Sequence, residues 1–97
     1  MEDKIYSIQL FLAKELPERK LIYEFSNEFH KFKLKGKHNT HWLYLPRELV
    51  DDEDIDKILE SITKYKIVII FNESSSSKWF FLGSDGLREV DENFTKS

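Results

Sequence analysis

The chain has 97 residues, a net charge of -3 and no cysteine, so it contains neither a disulfide framework nor a thiolate metal site. An apolar content of 40% and an aromatic content of 14% argue against disorder. This length fits one α+β domain over residues 1–97, and we expect residues 91–97 to be a frayed tail.

The first thirty residues predict a strand followed by a helix. Residues 5–13 form a short run that alternates and contains aromatic and β-branched residues, which favours a strand. A helix also fits, because apolar residues recur at three- and four-residue steps on one face. Pro17 suits the first turn of a helix. The apolar side chains after it recur at three- and four-residue steps, so we predict an amphipathic helix over residues 17–30.

The middle of the chain predicts a β-hairpin and a second helix. Alternation of polar and apolar residues indicates strands at 31–35 and 41–45 around a turn at 36–40. Residues 51–64 have the clearest helical periodicity, and the acids at the start of this segment fit a positive helix end that Asp51 or Asp52 can cap.

The last third predicts further strands. Residues 66–71 are continuously apolar after Lys66, which is typical of a central strand covered on both faces. The serine-rich segment 72–78 is interpreted as a loop, and strand 79–83 follows it. Residues 84–86 predict a turn and residues 87–90 a short edge strand.

The predicted element order is therefore β-α-β-β-α-β-β. Its first six elements match the order of a split βαβ, ferredoxin-like domain. We accordingly predict an α+β fold in which an antiparallel sheet carries two helices on one face.

Charge is distributed unevenly along the chain. Residues 29–47 carry five basic side chains and no acid, whereas residues 48–63 carry seven acids against one lysine. Two adjacent blocks of opposite sign form either two separate faces or one self-neutralising pair.

Neither the histidines nor the acidic run has the ligand spacing of a metal site. His38 and His41 straddle the predicted turn, and no HExxH or similar frame accompanies them, so all three histidines, with His30, are interpreted as contacting solvent. The acidic run 51–54 lacks the alternating oxygens and the glycine of a calcium loop, and is interpreted as a helix cap. A minority hypothesis is that these acids mimic nucleic-acid phosphates. We predict no metal and no cofactor.

Catalytic motifs are also missing from the sequence. There is no G-x-S-x-G elbow, no S-x-x-K frame and no glycine-rich phosphate loop, and the four serines at 74–77 lie in a loop. We therefore expect a protein that is not an enzyme.

The basic and aromatic hairpin is the positive functional signal. Strand geometry projects the lysines of residues 31–35 from one face and Phe32 and Leu34 from the other. If Phe32, Leu34, Leu43 and Leu45 pack against the helices, the remaining aromatic residues Trp42 and Tyr44 join the lysines on the open face. That combination suits binding of single-stranded nucleic acid. The RNP1 motif of RNA-recognition domains, a glycine followed by alternating aromatic residues, is however absent. Lysines of this kind also simply protect an edge strand from pairing.

A second signal is the run 66–71, whose second face needs cover from the C-terminal segment through Val90 and Phe94, from a second copy of the chain, or from a partner.

We predict a small regulatory module of the adaptor or inhibitor type that binds another protein. The alternative is a nucleic-acid-binding module using residues 31–44, and a homodimer through the same face is also considered. No membrane partner is expected, and the cytoplasm is the expected location. The predicted partner-binding residues are Lys31, Lys33, Lys35, Lys37, Trp42, Tyr44 and Trp79.

Overall fold

The structure, a computed structural model, describes residues 2–94, with side chains from residue 4 onward. Within that range the elements in chain order are α1 (Glu2–Glu15), β1 (Lys20–Ser26), β2 (Phe29–Lys35), β3 (Thr40–Pro46), α2 (Arg47–Asp52), α3 (Ile55–Lys64), α4 (Ile67–Glu73), β4 (Lys78–Gly83) and β5 (Gly86–Val90). The strands form one mixed sheet in the order β1-β2-β3-β4-β5, in which β3 and β4 run parallel and the other described neighbours run antiparallel.

This architecture confirms the α+β class but not the finer prediction. The observed order is α-β-β-β-α-α-α-β-β, so the ferredoxin-like order β-α-β-β-α-β-β is not found. The sheet is mixed rather than antiparallel because β3 and β4 are joined by a crossover. Parallel neighbours require such a connection of a dozen or more residues, and here it consists of α2, α3 and α4.

The strand predicted for residues 5–13 is wrong, because this segment lies within helix α1. Ile8, Leu12 and Leu16 follow one another at the four-residue spacing of a helix face, and all three are buried in the core. Tyr6 and Leu10, which strand alternation would place with Ile8, are instead 63% and 53% exposed. The helical alternative for this segment is therefore the one that the packing selects.

The helix predicted for residues 17–30 is also wrong, and a β-hairpin takes its place. Strand β1 runs antiparallel to β2 through a two-residue turn. Its central residues, Asn27 and Glu28, have φ values of 54° and 67°, the positive pair that a tight hairpin turn requires. The helical spacing of the apolar residues is incidental, since Leu21 and Tyr23 point inward in alternation with Ile22 and Glu24.

The predicted hairpin of β2 and β3 is confirmed. Its turn is closed by the Gly36 amide, which donates to the Asn39 carbonyl at 2.9 Å. The four apolar residues predicted to face the helices are fully buried, namely Phe32, Leu34, Leu43 and Leu45. Strands β4 and β5 are confirmed as well, with Gly86 at a φ of 128° in the turn between them.

Residues 66–71 were predicted to be a central strand, but residues 67–73 form helix α4. Lys66 adopts a left-handed conformation, φ 58°, which separates α3 from α4. Ile67 and Phe71 are buried while Ile69 is 49% exposed, so only one side of this apolar run is covered. Helix α3 begins at Ile55, and its N-cap is Asp54 rather than Asp51 or Asp52. The latter two acids instead end helix α2.

The core lies between the helices and one face of the sheet. Each of the four described helices contributes side chains to it, so the predicted one-sided arrangement is correct but involves four helices rather than two. The other side of the sheet carries no helix among residues 2–94. In that range, too, none of the helices has the length and apolar character needed to cross a membrane.

Candidate functional site

The sheet register brings the predicted binding residues together on the uncovered side of the sheet, which we call the open face. Adjacent strands contribute one residue each to rows that cross all five strands. The first row is Ile22, Lys33, Trp42, Trp79 and Val90, and the second is Glu24, Lys31, Tyr44, Phe81 and Arg88.

The first row presents two tryptophans beside a lysine. Trp42 and Trp79 are direct neighbours across the parallel pair β3–β4, and both are half-buried. The Lys33 ammonium lies 5.3 Å from the centre of the Trp42 ring, within range of a cation–π interaction. Lys35 is exposed further along the same face of β2. We call Lys33, Lys35, Trp42 and Trp79 the aromatic–basic strip.

The middle of the second row is covered by the chain itself, while Glu24 and Arg88 at its two ends are exposed. Tyr44 is on the open face as predicted, but only 3% of it is exposed, and Lys31 is only 8% exposed. The Phe94 ring stacks on Tyr44 with their centres 6.1 Å apart. The centre of the Phe94 ring also lies 5.2 Å from that of Phe81. The Arg88 guanidinium lies 5.5 Å from the centre of the Phe94 ring. Burial, with the Glu24 charge adding to it, raises the pKa of Tyr44. Tyr44 and Lys31 are therefore too buried for a partner to contact them, although the Tyr44 ring packs beside Trp42 of the strip, with ring centres 6.1 Å apart.

Phe94 bears on the predictions about the cover of the sheet and about the C-terminal tail. A frayed tail over residues 91–97 stays a prediction: Phe94 packs on Tyr44, and residues 95–97 lie outside the described residues. Residues 66–71 present no second sheet face that needs cover, because residues 67–73 form a helix. The C-terminal segment nevertheless covers part of the open face, which leaves the strip as the accessible part.

The basic and acidic blocks form separate faces. Lysines 31, 33 and 35 are on the open face, and the acids of residues 48–60 are on the helices behind the sheet. Within residues 2–94, one salt bridge joins the two blocks where they meet in the chain, Arg47 with Asp51 at 4.0 Å. The other ion pairs are Arg47 with Glu28 at 3.2 Å and Lys78 with Glu89 at 3.4 Å, and none of the described pairs involves the open-face lysines. The acidic block therefore does not neutralise those lysines, and the strip keeps a positive field. Lys37, exposed in the β2–β3 turn, extends it.

The histidines do not share one environment. His38 is exposed, whereas His41 is fully buried with its ring parallel to Phe71 at 4.5 Å, so the prediction that all three contact solvent is wrong. Burial, and then the Arg19 charge, lower the pKa of His41 to about 4. His41 is buried because it lies on the core side of β3, between Leu43 and the turn. No described group of His, Asp and Glu side chains is arranged to hold a metal ion.

One polar pair was missed by the sequence reasoning. The Tyr23 hydroxyl lies 2.7 Å from His30 Nδ1 on the helix side of β1 and β2. The pair depends on the tight turn at Asn27 and Glu28, which the helix prediction for residues 17–30 hid. An asparagine between two alternating runs was the available signal.

Fold and face together define a small α+β domain with a basic, tryptophan-bearing open sheet face. Comparison of the chain with known protein families, with curated proteins and with solved structures finds no match.

Proposed function

We propose that the protein is a small regulatory module, without enzymatic activity, that binds another protein through the aromatic–basic strip. The observation that carries this proposal is the pair Trp42 and Trp79, side by side and half-exposed on a sheet face that the described helices leave open. Tryptophans in such positions supply much of the binding free energy at protein interfaces.

The chemistry of the strip selects the kind of partner. Lys33, Lys35 and Lys37 have no acid opposite them in the described ion pairs, so an acidic partner surface would complement them. Trp42 and Trp79 would enter an apolar depression within that surface. Because the acidic helices lie behind the sheet, their field would repel such a partner there and orient it towards the strip.

The test is capture of the partner from the natural host by the wild-type protein and by a double variant, Trp42→Ala with Lys35→Glu. We expect the double variant to lose the partner, with its affinity at least tenfold weaker in calorimetry. Lys14→Glu, an exposed charge reversal in helix α1, is the matched control and should leave capture unchanged. Retained binding by a folded double variant would refute the proposal.

A second candidate is a nucleic-acid-binding module, favoured by the Lys33 ammonium over the Trp42 ring next to Trp79. Bases stack on exposed aromatic rings while lysines neutralise phosphates. Titration of labelled single-stranded oligonucleotides should then show affinity that falls log-linearly with salt, with a slope set by about three lysines. Absence of saturable binding at low salt would eliminate this candidate.

The open face also offers a surface for a second copy of the chain, and native mass spectrometry separates a homodimer from a complex with another protein or with nucleic acid. The proposal extends to a cytoplasmic location, with which a chain without cysteine is compatible.

A further inference from the structure

On the helix side of the sheet, away from the aromatic–basic strip, a pocket of ≈ 460 Å³ opens between α1, the edge strand β1, β2 and α2. Its volume is within the range of small-molecule sites in proteins. Its walls are formed by Ile5, Tyr6, Gln9, Tyr23, His30, Val50 and Asp51. Because none of these residues is part of the strip, a ligand here would be independent of the partner proposed above.

The floor of the pocket carries a hydrogen-bonded pair, Tyr23 and His30, whose oxygen and Nδ1 are 2.7 Å apart. Burial lowers the pKa of His30, with Asp51 opposing the shift, and burial raises the pKa of Tyr23. Both groups are therefore neutral at pH 7. Whichever of them donates in their mutual bond, the pair keeps one hydrogen to donate and one lone pair to accept.

The formal charge of the pocket comes from Asp51. Arg47 Nε lies 4.0 Å from the Asp51 carboxylate, but it is closer to Glu28, at 3.2 Å, and does not line the pocket. The Lys4 ammonium donates to the backbone carbonyls of Val50 at 2.8 Å, Asp51 at 3.3 Å and Glu53 at 2.9 Å, and Lys4 does not line the pocket either. An anion in the pocket would meet a carboxylate, whereas a cation would be attracted by it.

The aromatic walls favour the same sign of charge. Tyr6, 63% exposed, and Tyr23, whose ring stacks on His30 with the ring centres 5.9 Å apart, are the aromatic side chains that line the pocket together with His30. The faces of aromatic rings attract organic cations, most strongly where water is partly excluded. Ile5 and Val50 add an apolar wall that suits a hydrocarbon body rather than a metal ion.

We propose that this pocket binds a small organic amine, with its ammonium group at Asp51 and its aromatic or branched aliphatic body between Ile5, Val50 and the two tyrosines. The Tyr23–His30 pair supplies a polar contact that orients the ligand.

The test uses three probes of nearly equal size and different charge, namely phenethylamine, 2-phenylethanol and phenylacetate, added to the ¹⁵N-labelled full chain at pH 7. We expect saturable amide shifts at residues 5–9, 23, 30 and 50–51, with millimolar dissociation constants for ligands this small. Affinity should fall in the order cation, neutral, anion. Phenylacetate binding as tightly as phenethylamine, or no saturable shift with phenethylamine, would overturn the proposal.

Asp51→Asn should weaken phenethylamine about fivefold, the factor of one exposed charge pair, and leave 2-phenylethanol unchanged. Asp52→Asn, an exposed neighbour outside the pocket, is the matched control and should change neither affinity. The same spectra report whether each variant is folded. An equal loss in both variants, or no loss in Asp51→Asn, would contradict the assigned ammonium position.

Discussion

The buried imidazole of His41 should make the protein sensitive to acid. The ring is fully enclosed and stacked on Phe71, and neither of its nitrogens has a hydrogen-bond partner among the described residues. Burial is the main cause that lowers the pKa of His41 from 6.5 to about 4. The positive charges of Arg19 and Lys78 act in the same direction, and the Phe71 carbonyl opposes them in part.

The sign of the effect follows from proton linkage. Between pH 6.5 and about 4 the unfolded chain binds a proton at His41 that the folded chain does not, so the free energy of unfolding falls as the pH falls through this window. Above pH 6.5 the full stability is present. The total loss is at most about 3 kcal/mol, of which about 2 kcal/mol has occurred at pH 5.

His41→Phe removes this titration while keeping the ring stacked on Phe71. We expect the variant to be within about 1 kcal/mol of wild type at pH 7.5, because the shape is nearly kept. At pH 5 it should gain about 2 kcal/mol relative to wild type. Urea unfolding followed by tryptophan fluorescence at several pH values measures the difference. His38→Gln, at an exposed histidine in the adjacent turn, is the control and should follow wild type. Parallel pH profiles of wild type and His41→Phe would refute the reasoning.

Three further stability predictions use the same assay. Leu12→Ala should lose about 2–5 kcal/mol because Leu12 is fully buried, whereas Leu10→Ala should stay within about 0.5 kcal/mol, and equal losses would contradict helix α1. Lys66→Gly should gain up to about 1 kcal/mol at its left-handed position, while Lys64→Gly in α3 should lose a similar amount; the reverse signs would contradict the break at residue 66. Phe94→Ala should lose about 1–2 kcal/mol, and unchanged stability would show that its ring contacts contribute nothing.

The sequence predicted best where polar and apolar residues alternate strictly. Strands β2 and β3 have lysines on one side and core residues on the other, so only one orientation buries the apolar set. The faces of Trp42 and Tyr44 followed from that alternation and are confirmed.

Prediction failed where two periods fit one segment. Residues 5–13 satisfy both helix and strand spacing, and residues 67–71 are apolar throughout, so only tertiary packing decides between the two structures. Phe94 was a candidate to cover residues 66–71, but its actual contact with Tyr44, from a distant part of the chain, was not predicted. Contacts of that kind leave no local pattern in the sequence.

The parallel pairing of β3 and β4 has a consequence for when the proposed binding strip is complete. Trp42 and Trp79 are neighbours in space, but the whole crossover, residues 47–77, lies between them in the chain. Closing so long a segment carries an entropic cost that only the completed core offsets. A nascent chain that ends before β4 holds one tryptophan of the strip and lacks the other. Partner recognition would therefore be restricted to the finished molecule, and incomplete or unfolded copies would not compete for the same partner.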